Sequence, residues 1–293
     1  MRYYSYYPSC CTHGNAICYD KSSKAVAKAL DVDLIDLEDW NCCGSTPYSG
    51  ASELGALCCA VRNLALAEKK GLDLVTVCSD CYLMLNKANL FLKEYPKLKA
   101  DVDEALAAGG LEYHGTVRVR HILDIFINDV STDEIASKVK INLSGLKVAP
   151  YYGCQIVRPI WSPVFDHPEV PQSLEHLITT LGAEPTKFAS KTRCCGGSIV
   201  IAEDNLVLGL IHKILEDAVN SGADCIIVAC PLCQANLDAY QGMVNKKFKT
   251  KFNIPTIFFS QLMGIALGIE SKALGLKENI VEAGKALSSY ITK

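Results

Sequence analysis

Thiols are the residues here whose number and spacing could do chemistry. Ten of the fifteen cysteines fall into two copies of one five-cysteine pattern. The first copy is Cys10, the doublet Cys42-Cys43, then Cys78 and Cys81; the second is Cys154, the doublet Cys194-Cys195, then Cys230 and Cys233. From Cys43 to Cys78 and from Cys195 to Cys230 there are 34 intervening residues in each case, and the doublets and CxxC pairs repeat at a constant offset of 152. The first cysteine repeats at an offset of 144, so eight extra residues lie between Cys154 and Cys194, most naturally in the proline-rich RPIWSPVFDHPEVP. A spacing kept to the residue implies a repeated site.

Clustered reduced cysteines suit structural zinc, an iron–sulfur cluster, a redox dithiol or plain packing. Zinc takes four ligands, commonly from two short knuckles, and a CC doublet makes a poor knuckle because neighbouring side chains diverge. Cubane clusters also take four thiolates, in compact runs that are absent here. Five thiols per site exceed both needs and suit a more open, asymmetric inorganic cluster. The CxxC pairs Cys78–Cys81 and Cys230–Cys233 also have thioredoxin-like spacing, a rival in which the protein forms its own disulfide. Glycines follow each doublet, Gly44 in one copy and Gly196-Gly197 in the other, where a missing side chain lets backbone approach a core and turn sharply.

The elements that must position these thiols alternate short β-rich runs with helical runs, the pattern of an α/β protein. Two similar halves are expected, each a mainly parallel sheet covered by helices. In the first, strands are expected at residues 2–7, 33–37 and 74–77, and helices at 22–30, at 52–70 with Gly71 as C-cap, and from Cys81. In the second, strands are expected at 147–152, 186–189 and 225–228, and helices at 173–181, at 199–221 with Gly222 as C-cap, and from Cys233. Residues 1–110 would form the first domain, 111–145 a helical connector containing the amphipathic RVRHILDIFINDV, and 146–293 the second domain with C-terminal helices. Each motif cysteine would sit at the carboxyl end of a strand, where open α/β sheets bind ligands, so residues distant in sequence can converge.

With 293 residues, 49% of them hydrophobic, and a net charge of −3, the chain can build two cores and carries no basic excess that would argue for nucleic acid. The start, MRYYSYYPSC, lacks the apolar core and cleavage site of a secretory signal, which predicts the reducing cytoplasm and reduced cysteines. The most apolar stretch, 256–269, is interrupted by Ser260 and Gln261. It falls well short of the roughly 20 apolar residues that span a bilayer, predicting a buried helix and no transmembrane segment.

The segments YYPSC, EDWNCCGS and VCSDC, followed by YYGCQ, RCCGGS and ACPLC, make the chain resemble the duplicated cysteine-rich CCG domain family, as found in the B subunit of heterodisulfide reductase, over essentially its whole length. The resemblance implies two noncubane [4Fe-4S] clusters, one per half, held by Cys10, Cys42, Cys43, Cys78 and Cys81 and by Cys154, Cys194, Cys195, Cys230 and Cys233. It implies an enzyme, the disulfide oxidoreductase that splits the mixed disulfide CoM-S-S-CoB of coenzyme M and coenzyme B in methanogenesis by two one-electron steps. It also implies a complex: a small subunit with cubane clusters and a large flavin-containing subunit, with hydrogenase or formate dehydrogenase as possible further members. The chain departs from the family pattern at Cys10-Cys11, where the family has one cysteine; Cys10 is preferred as ligand because it shares the Tyr-Tyr context of Cys154, and Cys11 is the alternative.

A disulfide substrate bearing sulfonate, phosphate and carboxylate groups calls for cations. Arg158, Lys191 and Arg193 flank the second set of cysteines and are the expected substrate-binding residues; a solvated surface role is the competing reading for each. His13, near Cys10, could pass a proton to a departing thiolate, or be an ordinary loop histidine. Cys18, Cys58, Cys59 and Cys225 read as packing residues, and the paired tyrosines at 3–4, 6–7 and 151–152 as sheet formers. Two rival functions remain: an electron-relay subunit of a lactate, glycolate or glycerol-phosphate oxidoreductase, and a structural zinc scaffold.

Overall fold

The computed structural model describes residues 1–45, 47–158 and 165–291, apart from the Lys285 side chain. Strands β1 (Arg2–Tyr7), β2 (Val32–Asp36), β3 (Leu74–Thr76) and β4 (Val119–His121) form a sheet in the order β2-β1-β3-β4; β5 (Lys147–Tyr151), β6 (Glu184–Pro185), β7 (Cys225–Val228) and β8 (Thr256–Phe258) form a second in the order β6-β5-β7-β8. All neighbouring strands are parallel. The expected α/β architecture of two similar helix-covered sheets is therefore what the chain adopts. Inner strands β3 and β7 are buried throughout, as continuous apolar runs require, whereas edge strand β2 exposes Asp33 and Asp36.

The helices that matter for the cysteines are α1 (Ile17–Ala29), α2 (Glu53–Glu68), α3 (Ser79–Glu94), α4 (Ser173–Thr180), α5 (Asp204–Asn220), α6 (Pro231–Ala239) and α7 (Phe259–Ala266). Helix α2 starts where Ser52 accepts a hydrogen bond from the Gly55 N–H at 3.1 Å, an N-cap that satisfies an otherwise orphaned donor. Helices α3 and α6 begin directly after β3 and β7, with Cys78 and Cys230 at the N-cap positions and Pro231 in the first turn, where its missing N–H costs nothing.

Several elements differ from the sequence-based expectation. RVRHILDIFINDV is not one helix: it begins as β4, the fourth strand of the first sheet, and continues as a short helical run, Ile122–Asp124, and a π-helical turn, Ile125–Val130. Pairing with β3 and the burial of Arg120 between Asp124 and Asp129, the latter at 3.1 Å, override the helical periodicity. Likewise the apolar run at 256–269 opens as β8, because Thr256 and Ile257 extend the sheet beside β7, and becomes helix only at Phe259. The strand expected at 186–189 lies earlier, at Glu184–Pro185, on an edge where proline is tolerated. The helix expected from Ile199 starts at Asp204 because Gly196 and Gly197 take left-handed conformations ahead of a 3-10 turn, and α1 starts earlier than expected, at Ile17. The proline-rich insertion at 158–171 lies partly outside the described residues, since 159–164 are not among them.

The halves share one core: Tyr6, Tyr19 and Phe126 from the first are continuous with Tyr151, Phe258 and Phe259 from the second. A separate apolar cluster lies between α2, α3 and the other face of the first sheet. At the seam the Tyr19 ring stacks on Phe258 with centroids 3.9 Å apart, and the Ser22 and Ser260 hydroxyls are 2.7 Å apart. Gly275 is left-handed (φ 63°) and lies so close to α1 that a Cβ there would come within 2.7 Å of the Cys18 Cβ. Gly275→Ala combines a left-handed penalty with overpacking, and should cost about 2–4 kcal/mol, read as a lowered denaturant midpoint with an unchanged slope.

Candidate metal centre

In each sheet the strand order turns at the inner pair, β1 with β3 and β5 with β7, and the crevice beyond the carboxyl ends of such a pair is where ligands bind. Cys10 and Cys154 follow β1 and β5, and the CxxC pairs follow β3 and β7. The N-cap cysteine of each CxxC and its partner at the third helical position lie at the positive end of a helix, which favours thiolate.

The thiols of the first half meet in one nest. Cys43 contacts Cys81, Cys81 contacts Cys78, Cys10 contacts Cys42 and Cys11, and Cys11 contacts Cys78. In the second half Cys154 contacts Cys194, Cys195 and Cys233 lie 3.6 Å apart, and Cys233 contacts Cys230. The nests abut, because the thiol of Cys78 also meets that of Cys230. All ten cysteines singled out by spacing are thus gathered at one seam. Cys11 joins the first nest beside Cys10, giving it a sixth thiol, whereas Gln155 follows Cys154 in the second.

Backbone geometry is duplicated with the thiols. Ser9 (φ 74°) and Gly153 (φ 73°) precede the first cysteine of each set, and Gly44 (φ 79°) and Gly196 (φ 93°) follow each doublet. A Cβ on Gly44 would meet the Ala56 backbone at 2.7 Å, and one on Gly153 the Cys233 sulfur at 2.9 Å. Backbone N–H groups turn toward sulfur: Gly196 to Cys194 at 3.3 Å and Gly197 to Cys195 at 3.4 Å, with Gly44 and Ser45 serving Cys42 and Cys43. The tyrosines expected only to build sheets have a further task. Tyr7 donates to the Asn41 carbonyl at 2.8 Å and its counterpart Tyr151 to the Arg193 carbonyl at 2.6 Å, each tying down the residue before a doublet. Their recurrence in both halves was the available signal.

Crowding spreads the acidities. Hydrogen bonding from Cys43 draws Cys42 down to about 7, and hydrogen bonding from Cys154 draws Cys194 down to about 6. Cys230 falls well below the ordinary thiol range through bonds from Cys233 and Cys78. Cys81 is pushed up by its bond to Cys43, and Cys233 by its bond to Cys195. A nest with several sulfurs, left-handed backbone turned inward and N–H groups aimed at sulfur fits a cationic inorganic core. The buried Ser9 hydroxyl, without a protein partner among the described residues, adds an unused polar atom beside the first nest.

A pocket of about 130 Å³ opens on the second nest, lined by Cys154, Cys194, Cys230, Tyr152 and, from the first half, Ser79 and Asp80. Asp80 is 6% exposed; burial, and then the negative Cys230, push its carboxyl up to about 7, partly offset by the Ser45 hydroxyl. No lysine or arginine is among the described residues lining this pocket. Of the three expected cationic residues, Lys191 is engaged by Glu175 at 2.5 Å and by the Pro171 carbonyl, which takes it out of the running as a free anion-binding group. Arg158 and Arg193 are exposed, outside the pocket, with no ion-pair partner among the described residues. His13 is exposed and packs on Trp40, ring centroids 5.2 Å apart. Cys18 and Cys225 are buried in the shared core, and Cys58 packs against the apolar cluster beside α2, as packing residues should. A larger open hollow of about 610 Å³ runs along β4 and α3, and no cysteine lines it.

The cysteine-rich domain model of the CCG family matches residues 4–86 and 148–238, one match in each half. The chain is 37% identical over 282 residues to the membrane anchor subunit of the 8-methylmenaquinol:fumarate reductase of Wolinella succinogenes, covering 96% of this chain and 98% of that one. It is 34% identical over 266 residues to the B subunit of the ferredoxin/F(420)H(2)-dependent CoB-CoM heterodisulfide reductase of Methanosarcina acetivorans, covering 90% and 88%. Among solved structures, a hypothetical protein from Helicobacter pylori shares the fold with a TM-score of 0.76 at 18% identity, covering 96% of this chain and about half (52%) of that one. No helix among the described residues is long and apolar enough to cross a membrane.

The acidities have a direct readout. In the metal-free chain, iodoacetamide at pH 7 should modify Cys194 and Cys42 before any other motif cysteine. The Cys194 rate should fall as pH drops through about 6, because a lowered thiol pKa keeps thiolate down to that value and loses it below. Peptide mapping checks the order, and buried Cys18 and Cys225 should stay unmodified.

Proposed function

The chain belongs to the cysteine-rich CCG domain family, in the duplicated form found in the B subunit of heterodisulfide reductase, and from that premise we propose that it is the electron-relay subunit of an oxidoreductase complex, with a noncubane [4Fe-4S] cluster in each nest. The observation that carries this reading is the contact between Cys78 and Cys230, which brings two independent thiol nests to a single seam. Such clusters, when bound, supply one-electron exchange. The protein's part is to hold them: ten motif cysteines as thiolates, the left-handed turns at Ser9, Gly44, Gly153 and Gly196 to let backbone close on sulfur, and Tyr7 and Tyr151 to fix the doublets. Two adjacent one-electron stations match any partner that gives or takes electrons in pairs.

The pocket chemistry favours a neutral two-electron partner. A disulfide bearing sulfonate, phosphate and carboxylate would meet Asp80 and no cation among the described lining residues, which opposes anion binding. A quinol carries no such charge, and its oxidation releases protons that the buried Asp80 carboxyl lining the pocket is placed to take. This agrees with the fumarate reductase relative, whose named donor is 8-methylmenaquinol. In this reading the chain works on the cytoplasmic side of the membrane, with one partner carrying cubane clusters and another carrying flavin. A second reading, catalysis of CoM-S-S-CoB cleavage in methanogenesis, is favoured by the heterodisulfide reductase relatives and by exposed Arg158 and Arg193, which flank the second set of cysteines in sequence and have no ion-pair partners among the described residues.

Anaerobically prepared protein separates these. The relay reading expects about eight iron and eight sulfide per chain, and an electron paramagnetic resonance signal that grows on adding a water-soluble menaquinol analogue and does not change with CoM-S-S-CoB. A signal that shifts with the disulfide and ignores the quinol replaces it with the second reading. An iron-free chain, or one loaded with zinc, ends the two-cluster account.

A further inference from the structure

One buried histidine outside the cysteine motifs touches both halves at the point where the nests meet. His121 ends β4 and is fully buried. Its Nδ1 accepts the Leu123 N–H at 3.2 Å, so the ring proton sits on Nε2. Burial draws the imidazole down to about 4, keeping it neutral. Nε2 lies 3.2 Å from the Val77 carbonyl and 3.1 Å from the Ala229 carbonyl. These are the residues immediately before Cys78 and Cys230. A single N–H is therefore shared between the backbones that launch the two CxxC turns.

The same position differs between the copies, although so much else is duplicated. Thr76 pairs with His121 in the first sheet, and Val228, its counterpart at the offset of 152, pairs with Phe258 in the second. The second half thus has Phe258 where the first has His121, and Phe258 packs on Tyr19. Sheet formation needs only a residue that can extend a strand, as Phe258 demonstrates, so it does not account for a buried histidine with both ring nitrogens in use. The Ala229 carbonyl also accepts from Ser79 Oγ at 3.1 Å and from the Tyr19 hydroxyl at 3.4 Å. All three donors come from the first half and converge on one oxygen of the second.

We propose that His121 is a positioning residue that sets the separation of Cys78 and Cys230, and through them of the two cluster sites, by clasping Val77 and Ala229 with one shared hydrogen bond, while Ser79 holds the same oxygen from the cysteine side. The role rests on the two-cluster reading for its purpose, but the clasp itself belongs to the polypeptide and can be tested without metal. His121→Phe keeps an aromatic ring beside Tyr82, whose ring meets that of His121 edge-on at 6.0 Å, and removes the donor. His121→Gln returns an N–H at similar reach.

The metal-free full chain is treated with limiting hydrogen peroxide, which turns two neighbouring thiols into a disulfide and two waters, and the products are mapped by mass spectrometry. The readout is the ratio of the cross-half disulfide Cys78–Cys230 to the within-half disulfide Cys195–Cys233, whose sulfurs are 3.6 Å apart and both belong to the second half. His121→Phe should lower that ratio about tenfold, His121→Gln should restore most of it, and Ser79→Ala, which leaves the core rings in place, should lower it to an intermediate value. An unchanged ratio in His121→Phe and Ser79→Ala overturns the proposal. So does an equal fall of both disulfides that glutamine fails to rescue, since that marks a general loss of structure. A chain that loads no iron would sink the relay reading while leaving this ratio to judge the clasp.

Discussion

Thiols crowded at one seam cannot all ionise together unless positive charge lies among them. Each thiolate raises the cost of the next, which is why acidities here split so widely: Cys42, Cys194 and Cys230 are held low by thiols that donate to them, while Cys81 and Cys233 are held high. A cationic inorganic core, as proposed for each nest, would remove that conflict by letting every sulfur ionise against metal. The left-handed turns, the N–H groups aimed at sulfur and the tyrosine ties on the doublets all serve the same end, bringing backbone and sulfur close around a volume the side chains alone do not neutralise.

Duplication explains most of the seam, and the exceptions carry the specificity. The two sheets have the same strand order, and matched tyrosines and matched positive-φ residues accompany matched cysteines. Against that background, the first half has Cys11 where the second has Gln155, and His121 where the second has Phe258. Asp80 belongs to the first half yet lines the pocket of the second nest. The halves are therefore not interchangeable: the first supplies the extra thiol, the shared donor and the acid, and the second supplies the pocket.

The thiol nests were legible from sequence because cysteine spacing survives any uncertainty about local structure: a repeat offset of 152 fixes counterparts even where helix ends drift by several residues. The inner strands were legible for a similar reason, since Cys225–Val228 is an apolar run and Leu74–Thr76 a β-branched one, each bounded by turns. What escaped were short strands whose residues also suit a helix. Val119–His121 and Thr256–Phe258 become strands by pairing with β3 and β7, a tertiary effect with no local signature. His121 escaped with its strand, because nothing in the sequence says that its ring reaches Ala229, 108 positions away. Lys191 looked available beside the second doublet only because its partner Glu175 is supplied from α4.

The central claim is that two inorganic centres sit side by side, divided by Cys78 and Cys230. Anomalous diffraction at the iron edge from crystals of the anaerobically loaded chain tests it most directly. The account predicts two separate iron-rich peaks, one among Cys10, Cys42, Cys43, Cys78 and Cys81 and the other among Cys154, Cys194, Cys195, Cys230 and Cys233, flanking the Cys78–Cys230 contact. A single peak, or iron bound away from either set of cysteines, would contradict it.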